Sequence, residues 1–263
     1  MIWKPTPQTV VAFDIISSGS LDDHLLIGAR RDLRAIVAEV LAEQGIELSA
    51  ISQTDLGDGL RLEVPGTVTP AALLHPFVTN LDNALRMHQR RASAAARLRL
   101  RMAIHHGLVH HDEGSAGNTL RIVARLLDAR LVRRAAVLVP EANLVVAVSH
   151  QLYDDVIRHG YSIPPERFQR IALAEKEMTG HAWLYVPGHT PGLPLADEPP
   201  QAETTVDRVG AELPSAGPGG QPGTTQESQP APPVRAPLVQ ARDIHQNATS
   251  IVTVVGDGST INL

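Results

Sequence analysis

The sequence predicts an α+β sandwich, a sheet built from both hairpins and helix-linked strands. Three observations lead there. Apolar residues alternate in short runs, switch to helical spacing and switch back, opening in the order β-α-β-β-α-β. Hydrophobic residues make up 43% of the 263-residue chain, enough for a real core. Aromatic residues make up only 3%, so Val, Leu, Ile and Ala must fill that core. The periodic pattern stops near Pro187, where Pro, Gly, Ser, Thr and Gln take over.

The elements follow in order. "TVVAFDIIS" (9–17) predicts a buried strand. Residues 22–46 predict an amphipathic helix, with Leu26, Leu33, Ile36, Val37, Val40 and Leu41 on one face. "SAISQTD" and "GLRLEVP" predict two strands joined by a tight Gly-Asp-Gly turn. Residues 70–93 predict a second helix, with Pro70 suited to its first turn. Residues 97–111 alternate as one long strand, and 118–135 predict a third helix. A strand at 143–149, a helix at 150–160 and a closing strand pair, "FQRIALAE" with "HAWLYVP", complete the domain. The opening order is the ferredoxin-like split arrangement, and the expectation is a sandwich with its helices on one face of the sheet.

The rest of the chain divides in two. Residues 188–240 cannot bury enough apolar surface to offset their ordering entropy and predict a disordered linker. Residues 241–263, with "SIVTVV" and a second Gly-Asp-Gly at 256–258, predict a short β-prone tail. Such a tail suits strand addition to a protein partner, or it simply frays.

Charge and composition set limits. The net charge of -5 argues against a nucleic-acid partner. With no cysteine there is neither a disulfide nor a thiolate zinc site. The N-terminus lacks a secretory h-region, and no run approaches the ~18 apolar residues of a membrane helix. A soluble, cytoplasmic protein with no membrane partner is expected.

Two aspartates carry the candidate chemistry. Asp14 closes the first strand and Asp58 sits in the Gly-Asp-Gly turn. In a ferredoxin-like sheet the first strand lies beside that hairpin, so both carboxylates reach one point at the sheet edge. Adjacent carboxylates are costly to ionise, and a divalent cation between them removes the cost. The glycines at 57 and 59 would let a triphosphate approach the backbone. Arg125 lies on a helix that follows the Gly-rich loop "DEGSAGN", a setting that suits phosphate oxygens; the alternative is a solvated helix arginine.

These pieces together, "VVAFDIIS", "TDLGDGLRLEVP", "LRLRMAIHHGLVHHDEG" and "GNTLRIVARLLDA", resemble the class III nucleotidyl (adenylate/guanylate) cyclase catalytic domain, in a divergent bacterial branch. The ending "EKEMTGHAWLYVP" is similar to that branch, and the resemblance covers residues 8–187. The Asp14-to-Asp58 spacing matches the family's metal-binding pair. The resemblance implies that Asp14 and Asp58 hold two Mg²⁺ or Mn²⁺ ions per site. It implies that Arg125 stabilises charge in the transition state. Ile15, Thr54, Gly57, Gly59 and Asn118 would contact a nucleoside triphosphate. It further implies a head-to-tail homodimer, in which one subunit's aspartates work with the other's arginine.

Two departures bear on activity. Arg121 stands where the family has an asparagine, and is the second candidate catalytic residue. Thr54, followed by Asp55, stands at the position that usually selects the base, so neither ATP nor GTP is favoured. Two functions therefore follow from the resemblance. One is a metal-dependent cyclase forming a 3′,5′-cyclic nucleotide in intracellular signalling or defence. The other is a degenerate module that binds nucleotide or partner proteins and docks through its tail.

Other features have bland defaults. His105, His106, His110 and His111 fall on alternate faces of a strand and fit no standard zinc spacing, so an ordinary hairpin is expected. The arginines of "HQRRASAAARLRLR" read as a solvated face. Glu175, Lys176 and Glu177 read as an exposed hairpin whose Trp183 packs on the core.

Overall fold

The computed structural model describes residues 4–111, 114–175 and 178–195. The expected linker from about 196 onward and the tail at 241–263 lie outside the described residues, as do Lys176 and Glu177. The strands are β1 (Thr6–Ile15), β2 (Ser52–Asp55), β3 (Gly59–Pro65), β4 (Leu100–His111), β5 (Ser115–Ala116), β6 (Leu144–Ser149), β7 (Gln169–Glu175) and β8 (Met178–Tyr185). The helices are α1 (Asp23–Glu43), α2 (Phe77–Arg91), α3 (Asn118–Asp128), α4 (Arg130–Leu138) and α5 (His150–Leu152). Among them, none is long and apolar enough to cross a membrane.

The sheet runs β2-β3-β1-β4-β6-β8-β7, with β5 paired to β4. β1 is central, antiparallel to β3 on one side and to β4 on the other. The β4–β6 pair is parallel. The first four strands with α1 and α2 are the ferredoxin-like unit, and β6, β8 and β7 extend it.

The helices lie on both faces of the sheet, not one. Val11, Phe13 and Ile15 of β1 join α1 and α2 in one core. Val10 and Ala12 point the other way and join α3 and α4 in a second. A strand buried on both faces shows an unbroken apolar run instead of alternation, as β1 does.

Three helix boundaries differ from the sequence expectation. Pro70 does not open α2; residues 70–76 form turns and the helix starts at Phe77, after Pro76. Proline disfavours helical backbone in the residue before it, so the helix begins beyond. The helix expected over 118–135 breaks at Ala129, whose ψ of 131° is extended. The bend lets Val123 and Leu126 on one side, and Val132 and Ala135 on the other, all reach the sheet. The helix expected at 150–160 is short, continuing from α5 as a π turn over Tyr153–Ile157. Trp183 packs as expected, stacked on Tyr153 with ring centroids 3.5 Å apart.

Arg99 fastens the far end of α4. Its guanidinium donates to the carbonyls of Ala136 (2.8 Å), Val139 (2.9 Å) and Ala142 (2.8 Å). Helix C-termini leave carbonyls without intrahelical partners, and one arginine serves Ala136 and Val139 there and Ala142 in the loop beyond.

Candidate nucleotide and metal site

The site is set by the register of β1. Asp14 lies opposite Gly59 on β3 and opposite Arg101 on β4. The β2–β3 hairpin turns immediately before Gly59 and is tied back when the Ile15 N–H donates to the Asp58 carbonyl at 3.1 Å. Gly59 is required by this approach: a Cβ there would stand 2.0 Å from the Phe13 carbonyl oxygen. Gly57 supplies the left-handed backbone of the turn, at φ 90°. Both glycines are thus accounted for by the hairpin's own geometry.

This brings the Asp14 and Asp58 carboxyls to one cleft, near enough for the charge of Asp58 to act on Asp14. Burial raises the Asp14 carboxyl above its ordinary range, Arg101 pulls it back, and Asp58 pushes it up again. Arg101 donates to Asp14 Oδ2 through Nε at 2.8 Å and through a second, closer contact from Nη2. Asp58 Oδ2 accepts from the Ser18 hydroxyl at 2.8 Å. Both aspartates line a cleft of about 200 Å³ with Phe13, Leu56, Arg61 and one side of α3: Leu120, Val123, Ala124, Leu127 and Asp128.

The remaining candidates are placed differently. Ile15 turns its side chain into the α1/α2 core and offers only backbone. Thr54 Oγ1 accepts from Arg61 Nη2 at 3.1 Å. Asp55 is taken up by Arg30, by Arg34 and by the Gly57 N–H at 2.8 Å. The Gly57 hydrogen bond is the first cause that holds its carboxyl down at about 2. Asn118 begins α3 and accepts from Arg121 Nη2 at 3.0 Å. Arg121 and Arg125 are not among the residues that line the aspartate cleft. Within one chain, therefore, the aspartates meet and the two arginines stand apart from them.

The histidines are absorbed singly. Buried His105 bonds Ser149 Oγ at 2.8 Å, His106 bonds Thr9 Oγ1 at 3.0 Å, and His111 bonds Gln8 and Ser115. Among the described residues no three His, Asp or Glu side chains form a ready-made metal site. The donors present at Asp14 and Asp58 are two carboxylates on adjoining backbone. That set fits Mg²⁺ or Mn²⁺, which take one or two carboxylates and complete their shell with substrate phosphates.

Sequence reasoning missed Arg101, Ser18, Arg61 and Asp128. Arg101 and Arg61 sit in alternating strands, and their parity was readable. Their meeting with the aspartates depends on strand register, which no local pattern prints.

No family model and no curated protein matches the sequence. Solved structures do match the fold. The adenylate/guanylate cyclase/hydrolase from Silicibacter pomeroyi superposes at a TM-score of 0.50 and 16% identity, covering 71% of this chain and 99% of that one. The guanylyl cyclase Cya2 gives 0.49 and 13%, over 74% of this chain and 97% of its own. The adenylyl cyclase CyaB from P. aeruginosa gives 0.49 and 14%, over 71% and 95%. At these identities the likeness is one of fold: the eight-stranded sheet with its flanking helices has the fold of the adenylate/guanylate cyclase/hydrolase.

Proposed function

We propose that this domain binds a nucleoside triphosphate with Mg²⁺ or Mn²⁺ at Asp14 and Asp58, and acts as a nucleotidyl cyclase in a head-to-tail homodimer. The observation that carries the reading is the meeting of two carboxylates, one from β1 and one from the β2–β3 turn, in one cleft, with Asp14 raised by burial. A structural turn needs neither the pairing nor the burial.

A divalent cation held there would supply Lewis acidity to a ribose 3′-hydroxyl and to phosphate oxygens. The chain's own residues do the positioning. Ser18 fixes the Asp58 carboxylate by its hydroxyl bond. Arg101 keeps Asp14 compensated until a ligand draws the carboxylate away. Arg125 of a second copy would reach this cleft and stabilise charge on the transferring phosphate. Arg121, in the place of the family's asparagine, would contribute a donor of different reach.

A second reading, a non-catalytic cyclase-like module, draws on two observations. Arg101 already occupies Asp14, and Arg121 is engaged with Asn118. Incubation of the full chain with ATP, GTP, CTP or UTP plus Mn²⁺, with products read by mass, separates the two. A cyclic product that vanishes in Asp14→Asn/Asp58→Asn supports the cyclase and names its base. No product from a folded protein that still binds Mn²⁺–nucleotide supports the module.

A further inference from the structure

The aspartate cleft contains a cation that nothing so far explains. Arg61 lines it, from the strand next to β1. Its partner Glu63 has a fully buried side chain, at 0% exposure, and Arg61 itself is 21% exposed. Arg61 Nε donates to Glu63 Oε1 at 3.1 Å and its Nη2 to Thr54 Oγ1 at 3.1 Å. Both bonds use the Nε/Nη2 edge of the guanidinium, which leaves the Nη1 edge uncommitted to either partner.

Stability does not account for this arrangement. Arg61 and Glu63 stand opposite Ala12 and Val10 of β1, whose side chains join the core under α3 and α4. A buried ion pair there costs desolvation that apolar residues of the same size would avoid. The pair is also incompletely satisfied: Glu63 Oε2 is buried without a hydrogen bond, 3.8 Å from His111 Nδ1. What it does achieve is a guanidinium fixed in direction beside two carboxylates.

We propose that Arg61 is an anion-binding residue of the aspartate cleft, taking phosphate oxygens, and that Glu63 is its positioning residue. Arginine's planar fork matches phosphate geometry, and a fork already held in place loses little freedom on binding. The size of the cleft agrees. At about 200 Å³ it falls below the roughly 300–1,000 Å³ of sites that enclose a drug-sized ligand, so it suits a phosphate chain and not a whole nucleotide. The inference deepens the nucleotide reading and rests on it only for the phosphate's being part of a nucleoside triphosphate.

The test is calorimetric titration of the full chain with inorganic tripolyphosphate, with and without Mn²⁺, alongside Mn²⁺ alone. Arg61→Met should weaken tripolyphosphate about tenfold or more and should not weaken the affinity for Mn²⁺ alone. Glu63→Gln, which keeps the arginine but loosens its anchor, should weaken it by a smaller factor. Arg61→Met binding within about twofold of the unmodified chain overturns the proposal. So does absence of tripolyphosphate binding by the unmodified chain under both conditions. Amide shift mapping on the unmodified chain needs no variant to fold: perturbation at Arg61 supports the site, and none there overturns it. Arg61-dependent tripolyphosphate binding without any Mn²⁺ binding keeps the anion site and removes the cyclase reading.

Discussion

Asp14 stands between two opposite influences, Arg101 on β4 and Asp58 across the hairpin. The residue and its type were legible in the sequence, because an acid ending an apolar strand is an unusual place for charge and the Gly-Asp-Gly turn follows at a spacing that pairs the two. Arg101 was not legible, since its alignment with Asp14 is a matter of register. The glycines were read for their permissiveness, whereas Gly59 is demanded by the Phe13 carbonyl. Buried His105 offers a test at this scale. Burial holds its imidazole down at about 4, with His106 adding to the effect, from an ordinary 6.5. Between those values the unfolded chain binds the proton and the folded chain does not, so stability falls as pH falls through that window. Urea midpoints from pH 7.5 to 4 should show that decline, and His105→Asn should flatten it.

At the scale of elements, periodicity located the strands and most helices but not where the helices bend. The break at Ala129 is invisible in sequence because apolar spacing continues on both sides of it. The start of α2 was misplaced because Pro70 and Pro76 are both plausible first-turn residues, and tertiary context chose the second. Arg99 shows how α4 is kept against the sheet without any capping motif of its own. Arg99→Met should cost on the order of 3 kcal/mol, because it strands the carbonyls of Ala136 and Ala142 in buried surroundings, while Val139 keeps the Ala142 N–H. Guanidinium chloride unfolding measures this, and a loss below about 0.5 kcal/mol would mean that water replaces the guanidinium.

At the scale of the whole molecule, the described residues form a single sheet with a core on each side, and this was the expectation furthest from the structure. The signal was present in "TVVAFDIIS", whose lack of alternation calls for cover on both faces. The proposed dimer makes its own prediction at this scale. Copies carrying Asp14→Asn/Asp58→Asn, mixed with copies carrying Arg125→Ala, should regain about a quarter of the unmodified turnover. Random pairing makes half the dimers mixed, each with one intact site. Mixing that restores nothing, when both variants dimerise, removes the shared site. β1 carries the last consequence. The side chains of Phe13 and Ile15, either side of Asp14, are embedded among α1 and α2. A genetic screen for loss of ligand would therefore return hits on two surfaces. Some would fall in the cleft. Others would fall at Phe77 or Leu33, whose packing sets the height at which the carboxylate is presented, so remoteness from the ligand would be no guide to a residue's importance.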